Sequence, residues 1–215
     1  RVLIDTAFRD LVPRLRKPGM IKVLDIGCGS AYFRAELAAL GYRGSYTGVD
    51  VKQHHKYRDD AEPAFSSQFI QAPIEEARVG DGYDLVMSVT ALEHIPDDFK
   101  AVEVAHSAAG ETGVQIHIVP GFWSLFMYLL HGYRQYNRRR LRRLFRGQDY
   151  TIYRLGGFAT FLLHICLITI PERILNRPVR QKEWYGRVMR RALLVVNWLP
   201  FCSYAFVVAV KQKHD

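Results

Sequence analysis

A doubly wound α/β sheet is the fold class this sequence predicts, and three stretches predict it. The first is Ile21–Ala31, where Val23, Leu24 and Ile26 form a short apolar run and Gly27 and Gly29 follow at once. Behind them Phe33, Leu37 and Leu40 recur at helical spacing. The second is Ser45–Asp50, a strand pattern that ends in an acid. The third is Asp84–Val89, nearly continuous in apolar residues, as in a strand covered on both faces. Strand, glycine turn and helix open such a sheet, which takes its ligand at the carboxyl ends of the strands.

The elements follow in order. Residues 2–17 alternate apolar and basic side chains at helical spacing, interrupted by Pro13, and Pro18-Gly19 ends them. After the first strand and its helix, Gly41 to Gly44 reads as a turn into the second strand. Residues 51–66 are polar and read as a solvated segment; His54 and His55 lack partners at ligand spacing, so no metal is expected. Gln68–Ala72 reads as the third strand, closed by Pro73. Asp84–Val89 is the fourth, and the acids at Asp97 and Asp98 start a helix that runs to about Ala109. Val114–Val119 is the fifth strand, ended by Pro120. Ser203–Lys211 reads as the final strand, antiparallel to the others.

The chemistry of the glycine turn narrows the ligand. A dinucleotide fingerprint is G-x-G-x-x-G, but Tyr32 stands at the third glycine position. Asp25, at the end of the strand, would repel a phosphate and suits an ammonium group. Asp50 stands where such sheets place the carboxylate that binds a ribose diol. Together Val23–Ala31, Gly48–Asp50 and Asp84–Ile95 resemble the class I S-adenosylmethionine-dependent methyltransferases, over roughly residues 20–120. The resemblance implies a seven-stranded, mostly parallel sheet of order 3-2-1-4-5-7-6, with S-adenosyl-L-methionine as cofactor. It implies donor contacts at Asp25, Gly27, Cys28, Gly29, Asp50, Val51, Ala72, Ser88, Thr90 and Leu92. The family's usual acid after the third strand is missing at Ala72-Pro73, which leaves Ile74 or Glu75 to meet the adenine. His94, in the loop after the fourth strand, is the first candidate for the base that deprotonates an acceptor; Glu93, His117 and His131 are the others.

Charge divides the chain. The 215 residues carry a net charge of +9. Residues 1–119 hold thirteen basic and seventeen acidic side chains, residues 120–215 seventeen and four. The basic character therefore belongs to the second half, and such asymmetry points to an anionic partner. One domain over 1–215 is expected: a cofactor core at 20–120, a helical insertion over 121–201, and the closing strand at 203–211. The insertion has apolar runs at Phe122–Leu130 and Phe158–Ile170, an arginine cluster at Arg138–Arg146, and a further basic helix near Glu183–Trp198. The run of 13 residues from Phe158 to Ile170 is short of the roughly 20 needed to span a bilayer. Apolar runs beside arginines describe a helix lying in a headgroup layer or, as the alternative, a substrate-covering cap whose apolar faces pack on each other with the arginines solvated. Cys28, Cys166 and Cys202 are odd in number and widely spaced, so neither a metal pattern nor a disulfide framework is present. No signal peptide is visible, and a cytoplasmic location, peripheral on the inner face of the membrane, is expected.

The expected reaction is methyl transfer to a small or lipid-linked acceptor, a glycan among the candidates. Two alternatives stand beside it: methylation of RNA through the arginine-rich insertion, and a non-catalytic scaffold that only binds the donor. Nucleic acid is the weaker partner, because the apolar runs are longer than a nucleic-acid surface needs.

Overall fold

A computed structural model describes residues 2–124, 134–157 and 205–211, with scattered positions among 158–204. Helix α1 spans Val2–Leu15 and keeps Pro13 in its last turn. Strand β1 (Met20–Ile26) leads through the glycine turn to α2 (Tyr32–Ala39). Then come β2 (Arg43–Asp50), β3 (Phe65–Gln71) and β4 (Tyr83–Val89). Helix α3 (Asp98–Ala108) and β5 (Ala109–Pro120) follow, then α4 (Arg138–Leu144), β6 (Asp149–Leu155) and β7 (Ala205–Lys211).

The seven strands form one sheet of order β3-β2-β1-β4-β5-β7-β6. β1 pairs in parallel with β2 and β4, β2 with β3, and β4 with β5. β7 runs antiparallel to both β5 and β6, so it alone is reversed. The strand order first steps outward from β1 to β3 and then restarts at β4. That reversal opens a crevice at the carboxyl ends of β1 and β4, where open α/β sheets bind ligands.

The period of two along each strand divides the core. Val23, Leu85 and Ile116 face Phe8 and Val12 of α1 and Leu37 of α2. Leu24, Val86 and Val208 face the opposite side, with Val102 of α3 and Leu141, Leu144 and Phe145 at α4. Both faces are covered, which is why the central strands read as continuous apolar runs.

One expectation is corrected here. The insertion over 121–201 is not wholly helical, because Asp149–Leu155 forms β6 at the sheet edge. Tyr150 and Ile152 pack on the core while Thr151 and Tyr153 lie on the other side of the strand. The Phe158–Ile170 and Glu183–Trp198 readings, Cys202 and His131 lie wholly or largely outside the described residues. No helix among the described residues is long and apolar enough to cross a membrane.

Candidate active site

A cavity of about 750 Å³ opens at the carboxyl ends of β1 to β4. Its wall runs from Ile26-Gly27 through Val49-Asp50-Val51 and Ala72–Glu76 to Thr90-Ala91 and His94–Asp97. The backbone holds these segments in register. The amides of Gly27 and Cys28 both donate to the Val49 carbonyl, at 2.8 and 3.2 Å, and the Ala72 amide donates to Asp50 O at 3.1 Å.

The glycine turn has a steric reason. Gly27 has φ +69°, and a Cβ there would lie 2.4 Å from Ala91 Cβ. Thr90 delivers Ala91 to that point by taking φ +52°, an outlier conformation for a β-branched residue. The Thr90 amide is held by the Ile118 carbonyl at 2.8 Å. Strain is thus kept at the cavity wall, and β5 over-determines it. Gly48 is small for a second reason: a Cβ there would lie 2.8 Å from Cys28 Sγ.

Asp50 has two tasks. Its Oδ2 accepts the Gly29 amide at 3.0 Å, which fixes the turn, and the residue lines the cavity. A carboxylate has lone pairs for further donors, so a ligand diol can share it. Asp25 is placed differently. It is buried and accepts the Tyr46 hydroxyl at 2.5 Å. Burial pushes its carboxyl up to about 7, with the Tyr46 hydrogen bond opposing and the Asp50 charge adding. Asp25 supports the turn from beneath and does not line the cavity.

Of the implied donor contacts, Gly27, Asp50, Val51, Ala72 and Thr90 line the cavity. Asp25, Cys28, Gly29, Ser88 and Leu92 do not. Cys28 packs its sulfur on Gly48, and burial raises its thiol well above the ordinary range. Ser88 is buried with its hydroxyl 2.8 Å from His117 Nδ1. Leu92 belongs to the core. Ile26, Pro73–Glu76 and Ile95–Asp97 complete the wall; Ile74 and Glu75 stand where the adenine was expected to be met.

The candidate bases separate sharply. His117 is fully buried, and its ring lies 5.2 Å from that of Phe145. Its Nε2 is 3.2 Å from Gln115 Oε1, and burial lowers its pKa to about 3. A carbonyl oxygen can only accept, so Nε2 carries the proton and Ser88 donates to Nδ1. His117 is therefore a neutral strut between β4 and β5, not a base at the cavity. Glu93 is also buried, with neither carboxylate oxygen hydrogen-bonded among the described residues, and burial raises it to about 7. It cannot reach an acceptor directly. His94 lines the cavity, and its Nε2 lies 4.0 Å from Glu93 Oε1.

Beyond the cavity wall the sequence reading missed a clamp. Asp98, buried at the start of α3, receives Arg140 Nη2 at 2.7 Å, Arg134 Nη1 at 3.2 Å and the Tyr136 hydroxyl at 2.9 Å. Arg134 also donates to the carbonyls of Ile95 and Pro96, at 2.8 and 2.6 Å. The segment after β5 is thereby fastened to the His94 wall. The surplus of arginines was visible in the sequence, but their shared carboxylate partner was not.

The comparisons agree with this geometry. Residues 3–155 match the family model described as a methyltransferase domain. A curated relative, the ubiquinone biosynthesis O-methyltransferase of Hydrogenovibrio crunogenus, is 28% identical over 119 residues. The match covers 53% of this chain and 45% of the relative, so the chain spans less than half of that protein's length. An S-adenosylmethionine-dependent methyltransferase from Archaeoglobus fulgidus superposes with a TM-score of 0.61 at 17% identity, over 98% of this chain and 93% of its own. The 1,6-didemethyltoxoflavin-N1-methyltransferase of Burkholderia thailandensis, solved with S-adenosylhomocysteine, also gives 0.61, at 16% identity over 99% and 79%. The family match runs through every strand from β1 to β6 with the predicted sheet order intact, and the chain belongs to the class I S-adenosylmethionine-dependent methyltransferases.

Proposed function

We propose that the chain methylates a hydroxyl oxygen of a small or lipid-linked acceptor, with His94 as general base. The observation that carries this reading is that His94, of the described candidate bases, stands on the cavity wall. The O-methyltransferase name of the curated relative supports oxygen as the acceptor atom. The cavity fits the donor: its volume is within the 300–1,000 Å³ range of cofactor sites, and Gly27 lets a ligand approach the backbone. When bound, S-adenosylmethionine supplies a methyl group made electrophilic by its sulfonium.

The chain's own residues do the rest. Asp50 holds the ribose hydroxyls, the Gly27 backbone borders the donor, and Ala72–Glu76 form the wall for the base. His94 accepts the acceptor hydroxyl's proton as the new O–C bond forms. Glu93 at 4.0 Å is close enough to favour the imidazolium that results, once its own carboxyl is ionised.

The test uses methyl-labelled donor and a lipid extract, with transfer followed by mass spectrometry. His94→Ala should lower turnover by about 10²–10⁴-fold while donor affinity, read by calorimetry, stays within a factor of about three. Near-normal turnover in the variant would remove His94 from the reaction.

A further inference from the structure

The outer face of α4 makes no ion pair among the described residues. Leu141, Leu144 and Phe145 are buried against the core, and Arg140 is committed to Asp98. Arg138, Arg139, Arg142, Arg143 and Arg146 are exposed, and none forms an ion pair among the described residues. Arg139, Arg142 and Arg143 stand at i, i+3 and i+4 on one side of α4, and Arg146 follows in the turn beyond its C-cap. The first turn contains no acid. Arginines there oppose the positive end of the helix dipole, and like charges one turn apart repel. The dipole favours Arg142 and Arg143 in the last turn, but no acidic side chain among the described residues offsets the repulsion between the exposed arginines. A surface that keeps such a cost is one that meets an external anion.

The neighbourhood selects the partner. Phe122 and Trp123 are exposed in the turn that follows β5, at 55% and 36%. A backbone bridge from Gly121 to Tyr136 and a 2.7 Å hydrogen bond from the Ser124 hydroxyl to Gln135 Oε1 bring that turn beside the start of α4. Their rings meet edge to face at 80°, which does not offer parallel platforms for successive bases. Aromatic side chains next to a basic face are the pairing found at membrane–water interfaces.

We infer that the outer face of α4, with Phe122 and Trp123 at its edge, docks on anionic phospholipid headgroups. This goes beyond the acceptor reading and does not depend on His94. It also modifies the expected helix lying in a headgroup layer: α4 has its apolar side in the core, so it rests on the surface through charge. Attraction of that kind falls off within a Debye length and is released by salt. Docking places the segment after β5 against the bilayer, and the clamp on Asp98 ties that segment to the cavity wall.

The experiment is sedimentation of the whole chain with vesicles of phosphatidylcholine alone and of phosphatidylcholine mixed with phosphatidylglycerol. The wild type should partition onto the mixed vesicles, not the neutral ones, and leave them at high salt. Replacing Arg139, Arg142, Arg143 and Arg146 with glutamine should lower partitioning by about two to three orders of magnitude, each charge being worth roughly fivefold. The same four positions changed to lysine should retain it, and S-adenosylhomocysteine affinity should be unchanged in both, with neither variant melting below the wild type. No binding of the wild type to anionic vesicles at low salt overturns the inference. So does undiminished binding of the glutamine variant. Tighter binding to RNA than to vesicles, with a steep salt slope, would assign the face to nucleic acid instead. Because His94→Ala should bind vesicles like the wild type, failure of the acceptor chemistry and failure of the docking surface are separately visible.

Discussion

Asp25 makes stability depend on pH in an unusual direction, and the size of the effect follows from its burial. The ordinary value for this carboxyl is 3.8, and in the folded chain it lies at about 7. Between these values the folded protein keeps a proton that the unfolded chain has lost. Stability from this group is therefore full below about pH 4 and falls as pH rises toward 7. The whole change is at most about 4 kcal/mol, at 1.36 kcal/mol for each unit of difference. Asp25→Asn removes the titration and keeps an oxygen for the Tyr46 hydroxyl to donate to. Urea unfolding of both proteins isolates the effect, since Glu93 titrates equally in each. The variant's advantage should grow by about 2–3 kcal/mol between about pH 5 and about pH 8. An advantage that stays constant across that interval would mean that Asp25 is ionised in its buried site and that the reasoning is wrong.

Two further perturbations test the cavity wall. Gly27→Ala forces a Cβ to within 2.4 Å of Ala91 Cβ at φ +69°; it should cost about 1–3 kcal/mol in thermal melts and weaken S-adenosylmethionine in calorimetry more than tenfold. Asp98→Asn leaves Arg134 and Arg140 without their shared anion and should cost about 3–5 kcal/mol, with Arg140→Gln costing less because its side chain is 36% exposed. Equal losses for Asp98→Asn and Arg140→Gln would show that the clamp is not shared.

The sheet was legible where burial on both faces leaves a plain signature. The apolar run Val23–Ile26, the glycines behind it and the run Leu85–Val89 identify β1, the turn and β4 without any tertiary knowledge. Asp50 was legible because an acid at a strand end next to a glycine turn has few other uses. β6 was not read, although Tyr150 and Ile152 alternate with Thr151 and Tyr153, because it sits at the sheet edge behind an arginine-rich helix. The bases were not separable by sequence. His117 pairs with Ser88, two residues short of Thr90 at the cavity wall, and that depth along the strands makes it interior. Glu93 and His94 are neighbours, and only the tight turn over Leu92–His94 turns the first inward and the second outward. The partners of Asp25 and Asp98 come from 21 to 42 residues away. Such pairings exist only once the strands are laid side by side.

The bridge between Gly121 and Tyr136 has a consequence for how this protein can change. Together with Ser124 on Gln135, it brings together the residues that flank the stretch 125–133. The closure of that excursion is held by residues outside it, so its length is nearly free: each doubling adds only about 0.6 kcal/mol. Gly27 and Asp50 stand at the ends of β1 and β2, held there by bonds to Val49 and Gly29. The number of residues between Ser124 and Gln135 can therefore vary while the donor wall at Gly27 and Asp50 keeps its shape, as an exchangeable cassette on a fixed chassis.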